Sequence, residues 1–346
     1  MRQAVRGKIL NIPPGKLPVE ILERMLAKYT SSINGVAVGA SIGEDAAAID
    51  MGDTCLLAKT DPITFVAEDI GTYTIFVNAN DIATMGGIPR WFLAVILLPE
   101  KGTTSRLVEK IFRQLSSACK KTGVAFCGGH TEITVGIDRP VVIGTMLGEV
   151  EKSRLIATAG ARAGDDIILT KAIAIEGTSI LARERGKEIA GAFGAGVLRA
   201  CRKLADDPGI GILREAGIAV RNGRVHSMHD PTEGGLANAL YEVAAAADVG
   251  LVVDSGRIPV LKECRMLCRH FGLDPMGLIA SGSLLIMVDP GDSGKVIRAI
   301  EDAGVPAAKI GKIVPKSAGV KIRDRGRIRD LPRFDRDEMA RILERG

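Results

Sequence analysis

His229-Asp230-Pro231-Thr232-Glu233-Gly234-Gly235 sets a histidine, acids and a glycine pair just ahead of an apolar helical pattern, and its reading decides the fold. Four earlier stretches share its chemistry: Gly43-Glu44-Asp45, Lys59-Thr60-Asp61-Pro62, Asn78-Ala79-Asn80-Asp81 and Gly128-Gly129-His130-Thr131-Glu132. Asp and Gly are also common turn residues, so any one stretch reads equally well as an ordinary turn. Taken together they read as a nucleotide-triphosphate site. Mg²⁺ takes one or two carboxylates, keeps several waters and bridges phosphates, so acids delivered singly from separate loops suit it. Glycine beside an acid lets backbone amides approach phosphate oxygens.

Working outward, the apolar periodicities place these stretches between strands and helices. Leu22, Met25, Leu26 and Tyr29 share the face of a helix opened by Leu17-Pro18. A β-like run, residues 54–58, delivers Lys59-Thr60-Asp61, where Pro62 forbids helix. A helix over 74–84 carries Asn78 and Asp81 as surface neighbours and stops at Gly86-Gly87. A strand over 91–98, a helix over 104–121, a short strand over 124–127 feeding the Gly128-Gly129 loop, and a strand over 140–146 complete a first half. The second half is read as a strand over 166–170, a helix entered at Glu176-Gly177, helices near 194–206, 232–247 and 293–304, and strands near 250–254 and 283–289. A helix over 336–344 closes the chain. The expectation is two domains, 1–155 and 156–346, in an α+β fold.

Composition narrows the classes of function. At 346 residues the chain has material for two cores, and with 46% hydrophobic but only 3% aromatic residues, Ile, Val, Leu and Ala must do the packing. No run approaches the roughly 18 apolar residues of a membrane span, and the first eight residues lack the apolar centre of a secretory signal. Six scattered cysteines without CxxC spacing argue against a disulfide framework and a structural zinc site, so a reducing cytoplasm is expected. Net charge is +5, of which residues 321–346, with nine basic and six acidic side chains (9 − 6 = +3), hold most. There Arg323, Arg325, Arg327 and Arg329 alternate with other residues and no stacking aromatics interleave, which reads as a solvated strand and not a nucleic-acid surface.

In this order and spacing, over about residues 35–315, the stretches resemble the ATP-dependent superfamily built on the aminoimidazole ribonucleotide synthetase (PurM-like) fold. The His229-to-Leu236 run with Asn78-x-Asn80-Asp81 is most similar to its HypE branch and related synthetase-like proteins. The resemblance implies an N-terminal domain that dimerises through its strands, a C-terminal domain folded over it, and ATP with Mg²⁺ in the cleft, the partner copy contributing. It implies that Asp45, Asp61, Asp81 and Asp230 hold metal or phosphates, and that Lys59, Thr60, Asn78, Asn80, Gly128, Gly129 and Thr131 lie against the nucleotide. Two departures stand out. HypE proteins end in a Pro-Arg-x-Cys tail whose cysteine carries the carbamoyl group, whereas the last cysteine here is Cys268 and self-modification of that kind is not expected. Several relatives carry an acid where His130 follows the glycine pair, and Glu132 is the candidate to replace it as a metal ligand.

The shared reaction is attack by a substrate oxygen, of an amide or carbonyl, on the γ-phosphate of ATP, which needs positioning and charge neutralisation more than a covalent nucleophile. Candidate catalytic residues are His229, Asp230 and His130; for His229 a core histidine satisfied by backbone remains open. Lys59 reads as a phosphate contact or a lysine snorkelling from a strand end. Glu233 reads as support for a helix start, and Cys264 with Cys268 as core packing. Two other functions stay open: a small-molecule kinase of the thiamine-monophosphate type, and a non-enzymatic ATP-responsive scaffold in metallocofactor maturation.

Overall fold

The computed structural model describes residues 16–30, 35–64 and 68–343; the first eight residues and residues 344–346 lie outside them. A six-stranded sheet occupies the first half: β1 (Val36–Val38), β2 (Ala47–Asp50), β3 (Thr54–Ile63), β4 (Ile88–Pro99), β5 (Ala125–Thr134) and β6 (Val141–Glu151). Its order is β1-β2-β3-β6-β4-β5, antiparallel except for β4 with β5. Helices α1 (Val19–Tyr29), α2 (Ile70–Thr84) and α3 (Ser105–Thr122) belong to this half. Thr104 caps α3 by accepting from the Leu107 amide, and Gly123 ends it in the left-handed region.

The second half is a seven-stranded mixed sheet of β7 (Asp166–Thr170), β8 (Val225–His229), β9 (Gly250–Asp254), β10 (Leu285–Val288), β11 (Ala307–Val314), β12 (Val320–Asp324) and β13 (Arg327–Asp330). The order is β13-β12-β9-β11-β7-β10-β8, with β12 and β9 parallel. Around it run α4 (Ile175–Glu184), α5 (Gly186–Phe193), α6 (Ala195–Lys203), α7 (Leu213–Asn222), α8 (Gly235–Ala246), α9 (Lys262–Phe271), α10 (Ser293–Asp302) and α11 (Glu338–Leu343). One apolar core joins α2 and the first sheet to α4 and α9, so the halves share buried surface. The fold is two-domain α+β, as expected.

Two expectations need correcting. The Gly128-to-Glu132 stretch is not a loop but the middle of edge strand β5, paired with β4. Gly129 adopts φ +143°, and a Cβ there would stand 1.9 Å from the Ala94 carbonyl oxygen, so only glycine lets the two strands close. Helix α2 is not a surface helix: Asn78, Asn80 and Asp81 are all buried. Gly144 on β6 makes room for it, since a Cβ at that position would meet the Asn78 amide nitrogen at 2.5 Å.

The other expected elements are present within about five residues of their expected bounds, whereas β1, β2, α5, α7, β8 and β11 were not anticipated. Cys264 and Cys268 are core residues, their sulfurs 3.8 Å apart. The arginine-rich stretch is the β12–β13 hairpin, in which Arg323, Arg325, Arg327 and Arg329 are exposed and Ile322 is buried. Among the described residues no helix is long and apolar enough to cross a membrane.

Candidate functional site

Side chains alternate across β3, so Cys55, Leu57 and Ile63 turn toward α2, and Lys59 and Asp61 share that face. Helix α2 brings Asp81 over them, with Lys59 Nζ 3.3 Å from Asp81 Oδ2 and 3.5 Å from Asp61 Oδ2. The loop before β2 supplies Asp45. It is fixed by Glu44, whose carboxylate accepts from the Thr158 and Ala159 amides at 3.0 and 2.9 Å. From the second half, the end of β8 supplies His229 and Asp230.

One carboxylate oxygen each from Asp45, Asp81 and Asp230 lies within 4.8 Å of the others, and all three residues are buried. Asp45 Oδ2, Asp81 Oδ2 and both oxygens of Asp230 have no hydrogen-bond partner. Orphaned buried carboxylates are costly unless a cation compensates them. An all-oxygen donor set of this size suits a hard divalent cation such as Mg²⁺. Burial, together with the Asp45 carboxylate, pushes Asp230 up to about 7 against the pull of His229 and Lys59. Asp81 is likewise held well above its usual range, by burial first and by Asp230 and Asp61 beyond what Lys59 offsets. Burial pulls Lys59 down, but Asp81, Asp61, Asp45 and Asp230 outweigh it and keep the ammonium charged.

His229 stands with Nδ1 2.8 Å from Asp45 Oδ1 and Nε2 3.0 Å from Glu242 Oε2 on α8. Burial lowers its pKa, yet the two carboxylates dominate and hold it well above the usual value. The ring lies between these two carboxylates, so it can position Asp45. Nothing local in the sequence marks Glu242, and Glu44, though it belongs to the Gly43-Glu44-Asp45 stretch, gave no sign of its contacts with Thr158 and Ala159.

The remaining candidates fall into two groups. Thr60 donates to the Gly144 carbonyl at 2.8 Å, Asn78 donates to Thr74 O at 2.8 Å while its Oδ1 is unpartnered, and both amide groups of Asn80 bond backbone of the second half. Gly128, Gly129, His130, Thr131 and Glu132 lie on β5 instead, with His130 and Glu132 3.2 Å apart and exposed. Strand register puts Gly129 level with Asp61 but three strands away, about 14 Å at the usual strand spacing. That segment borders a cavity of ≈ 370 Å³ with Phe112, Phe126 and Cys127.

A second buried carboxyl lies at the start of α4, entered through Lys171 and Ala174 at φ 52° and 57°, left-handed values that strain a non-glycine residue. Glu176 accepts from the Ser281 amide at 3.3 Å. Burial lifts it to about 7 despite that hydrogen bond, with Asp337 and Glu233 adding to the rise. The folded value exceeds the ordinary 4.5, so its stabilising contribution is complete below about pH 4.5 and is lost as pH rises through 7. Glu176→Gln is therefore expected to be more stable than the parent at pH 8, by up to about 3 kcal/mol for the difference of 7 − 4.5 = 2.5, and to gain little at pH 5. Urea unfolding at both pH values checks this.

Comparison with known proteins completes the picture. Residues 43–150 match the N-terminal domain model of AIR synthase related proteins, and residues 162–323 match the C-terminal domain model. A Methanocaldococcus jannaschii protein named for hydrogenase expression and formation is 28% identical over 317 residues, 89% of this chain and 91% of its own. The carbamoyl dehydratase HypE of Cupriavidus necator is 30% identical over 261 residues, 73% of this chain and 70% of that one. The crystal structure of HypE in complex with ATP superposes with a TM-score of 0.72 at 24% identity, covering 85% of this chain and 90% of that one.

Proposed function

The chain belongs to the AIR synthase related protein family, and from that premise we propose that it is a cytoplasmic ATP- and Mg²⁺-dependent enzyme. It moves the γ-phosphoryl group of ATP onto an amide or carbonyl oxygen of a small-molecule or protein-borne acceptor. The observation that carries this reading is the buried Asp45, Asp81 and Asp230 cluster with its orphaned oxygens. Those three residues would hold the Mg²⁺, which would neutralise phosphate charge at the site. Lys59 and the half-buried Asp61 border the same group, and Lys59 adds a positive charge for the triphosphate. His229 keeps Asp45 in place from behind. Burial of the acids excludes water and strengthens every charge interaction there.

The reading includes a homodimer. Trp91, Leu93 and Val95 project from one face of the first sheet at 41%, 37% and 37% exposure, an apolar strip that a second copy would cover. Strand β5 rims that face, so its Gly128-to-Glu132 segment would serve the neighbouring copy's site. Leu93→Arg is expected to convert the dimer to monomer and to lower turnover with it. Light scattering checks the first effect, and a parent protein that is monomeric at micromolar concentration would remove this part of the reading.

The deciding experiment supplies Mg²⁺, γ-labelled ATP and a panel of primary amides and carbamoyl compounds. Acceptor-dependent release of free phosphate is expected. A stable phosphoester would instead support the kinase reading. Tight ATP binding with no turnover on any acceptor would leave the protein a nucleotide-responsive scaffold.

A further inference from the structure

Lys59 projects its ammonium among the carboxylates that the proposed metal would use. Nζ lies 3.3 Å from Asp81 Oδ2 and 3.5 Å from Asp61 Oδ2. The Asp81 contact is not a well-formed hydrogen bond, since Asp81 Oδ2 remains without a hydrogen-bond partner. The ammonium balances charge without being locked in direction. It is a compact charge on a flexible four-carbon stem, so it can exchange one set of oxygens for another within reach. His229 differs in that its rigid ring is hydrogen-bonded through Nε2 to Glu242 at 3.0 Å, with Nδ1 2.8 Å from Asp45 Oδ1.

A divalent cation approaching the acids alone therefore meets a positive charge already distributed over two of them. A triphosphate changes the balance, because its oxygens offer the ammonium an alternative and free Asp81 for the metal. We infer that Lys59 is an internal competitor of the divalent cation, one that makes tight metal binding conditional on nucleotide. It holds the acids when metal arrives alone and moves to phosphate oxygens when metal and nucleotide arrive together. The inference rests on the ATP and Mg²⁺ reading of the site, and it assigns Lys59 a role in positioning and coupling.

Metal affinity without nucleotide tests it, with Mn²⁺ as the probe, followed by electron paramagnetic resonance or calorimetry on the full chain. Lys59→Met keeps the stem and removes the charge; it is expected to bind Mn²⁺ about tenfold more tightly than the parent, the size of a typical coupling between sites. Its affinity for a non-hydrolysable ATP analogue with metal is expected to fall by a similar factor. Lys59→Arg, which keeps the charge, should hold Mn²⁺ no more tightly than the parent. Opposite signs for metal and nucleotide cannot come from a merely loosened site, which would weaken both. Lys59→Met leaves the acids without their ammonium, so it is purified with Mn²⁺ and stripped by chelation. A melting temperature that climbs more with added Mn²⁺ than the parent's does is a second reading of the same effect. Equal or weaker Mn²⁺ binding by Lys59→Met overturns the competitor role. If the parent binds no Mn²⁺ even with nucleotide, the proposed metal site falls and this inference with it.

Discussion

Asp230→Asn is expected to cut acceptor-dependent phosphate release by about a thousandfold or more, the scale on which a charge aimed at a phosphoryl-transfer site matters. The same change is expected to leave the protein at least as stable as the parent. Asp230 is 1% exposed and neither of its oxygens has a hydrogen-bond partner, so Asn loses no hydrogen bond, and the attraction of His229 and Lys59 is outweighed by burial and the Asp45 carboxylate. Asp230 adds repulsion, standing with Asp45 and Asp81 within 4.8 Å. Removing one such charge relieves desolvation and like-charge cost together. Mg²⁺ or Mn²⁺ should therefore raise the melting temperature of the parent by binding only the folded form, and should fail to raise that of Asp230→Asn. Phosphate release at saturating ATP and melting curves with and without metal are the two measurements. If the variant keeps turnover within about tenfold of the parent, a loss too small for a metal ligand, the three acids are not the metal site.

What could be read in the sequence, and what could not, follows from how local each signal is. Asp45, Asp61, Asp81 and Asp230 were legible as a group because each sits in a short polar stretch at a strand end, a helix or a helix start, and the structure brings Lys59 among them. Strand β5 was misread as a loop for a physical reason: at an exposed edge its side chains show no buried and exposed alternation, and the Gly128-Gly129 pair mimics a turn. Helix α2 carries almost no amphipathic contrast because it is buried all round, so nothing in its pattern placed Asn78 and Asp81 inside rather than outside. Contacts such as His229 with Glu242, Glu44 with the Thr158 amide, and Lys171 with Glu215 at 2.7 Å join distant parts of the chain and leave no periodic trace.

Asn80 shows how a residue next to a metal ligand can work for the fold. The motif suggested a nucleotide contact, but its Nδ2 donates to the Ile210 carbonyl at 2.9 Å, and its Oδ1 accepts from the Ile212 amide at 3.0 Å. The residue is completely buried, and the two bonds tie α2 to the backbone that leads into α7. Asn80→Ala strands both backbone groups away from water, at about 1–3 kcal/mol each, so a loss of about 2–6 kcal/mol is expected in urea unfolding. Asp81 is the next residue and Asp230 belongs to the other half, so the clamp also sets the spacing of the acids. Weaker Mn²⁺ binding should accompany the lost stability, and nucleotide affinity should follow the metal. An unfolding curve identical to the parent's, with ATP affinity alone reduced, would mean that Asn80 serves the nucleotide and that the halves are held together elsewhere.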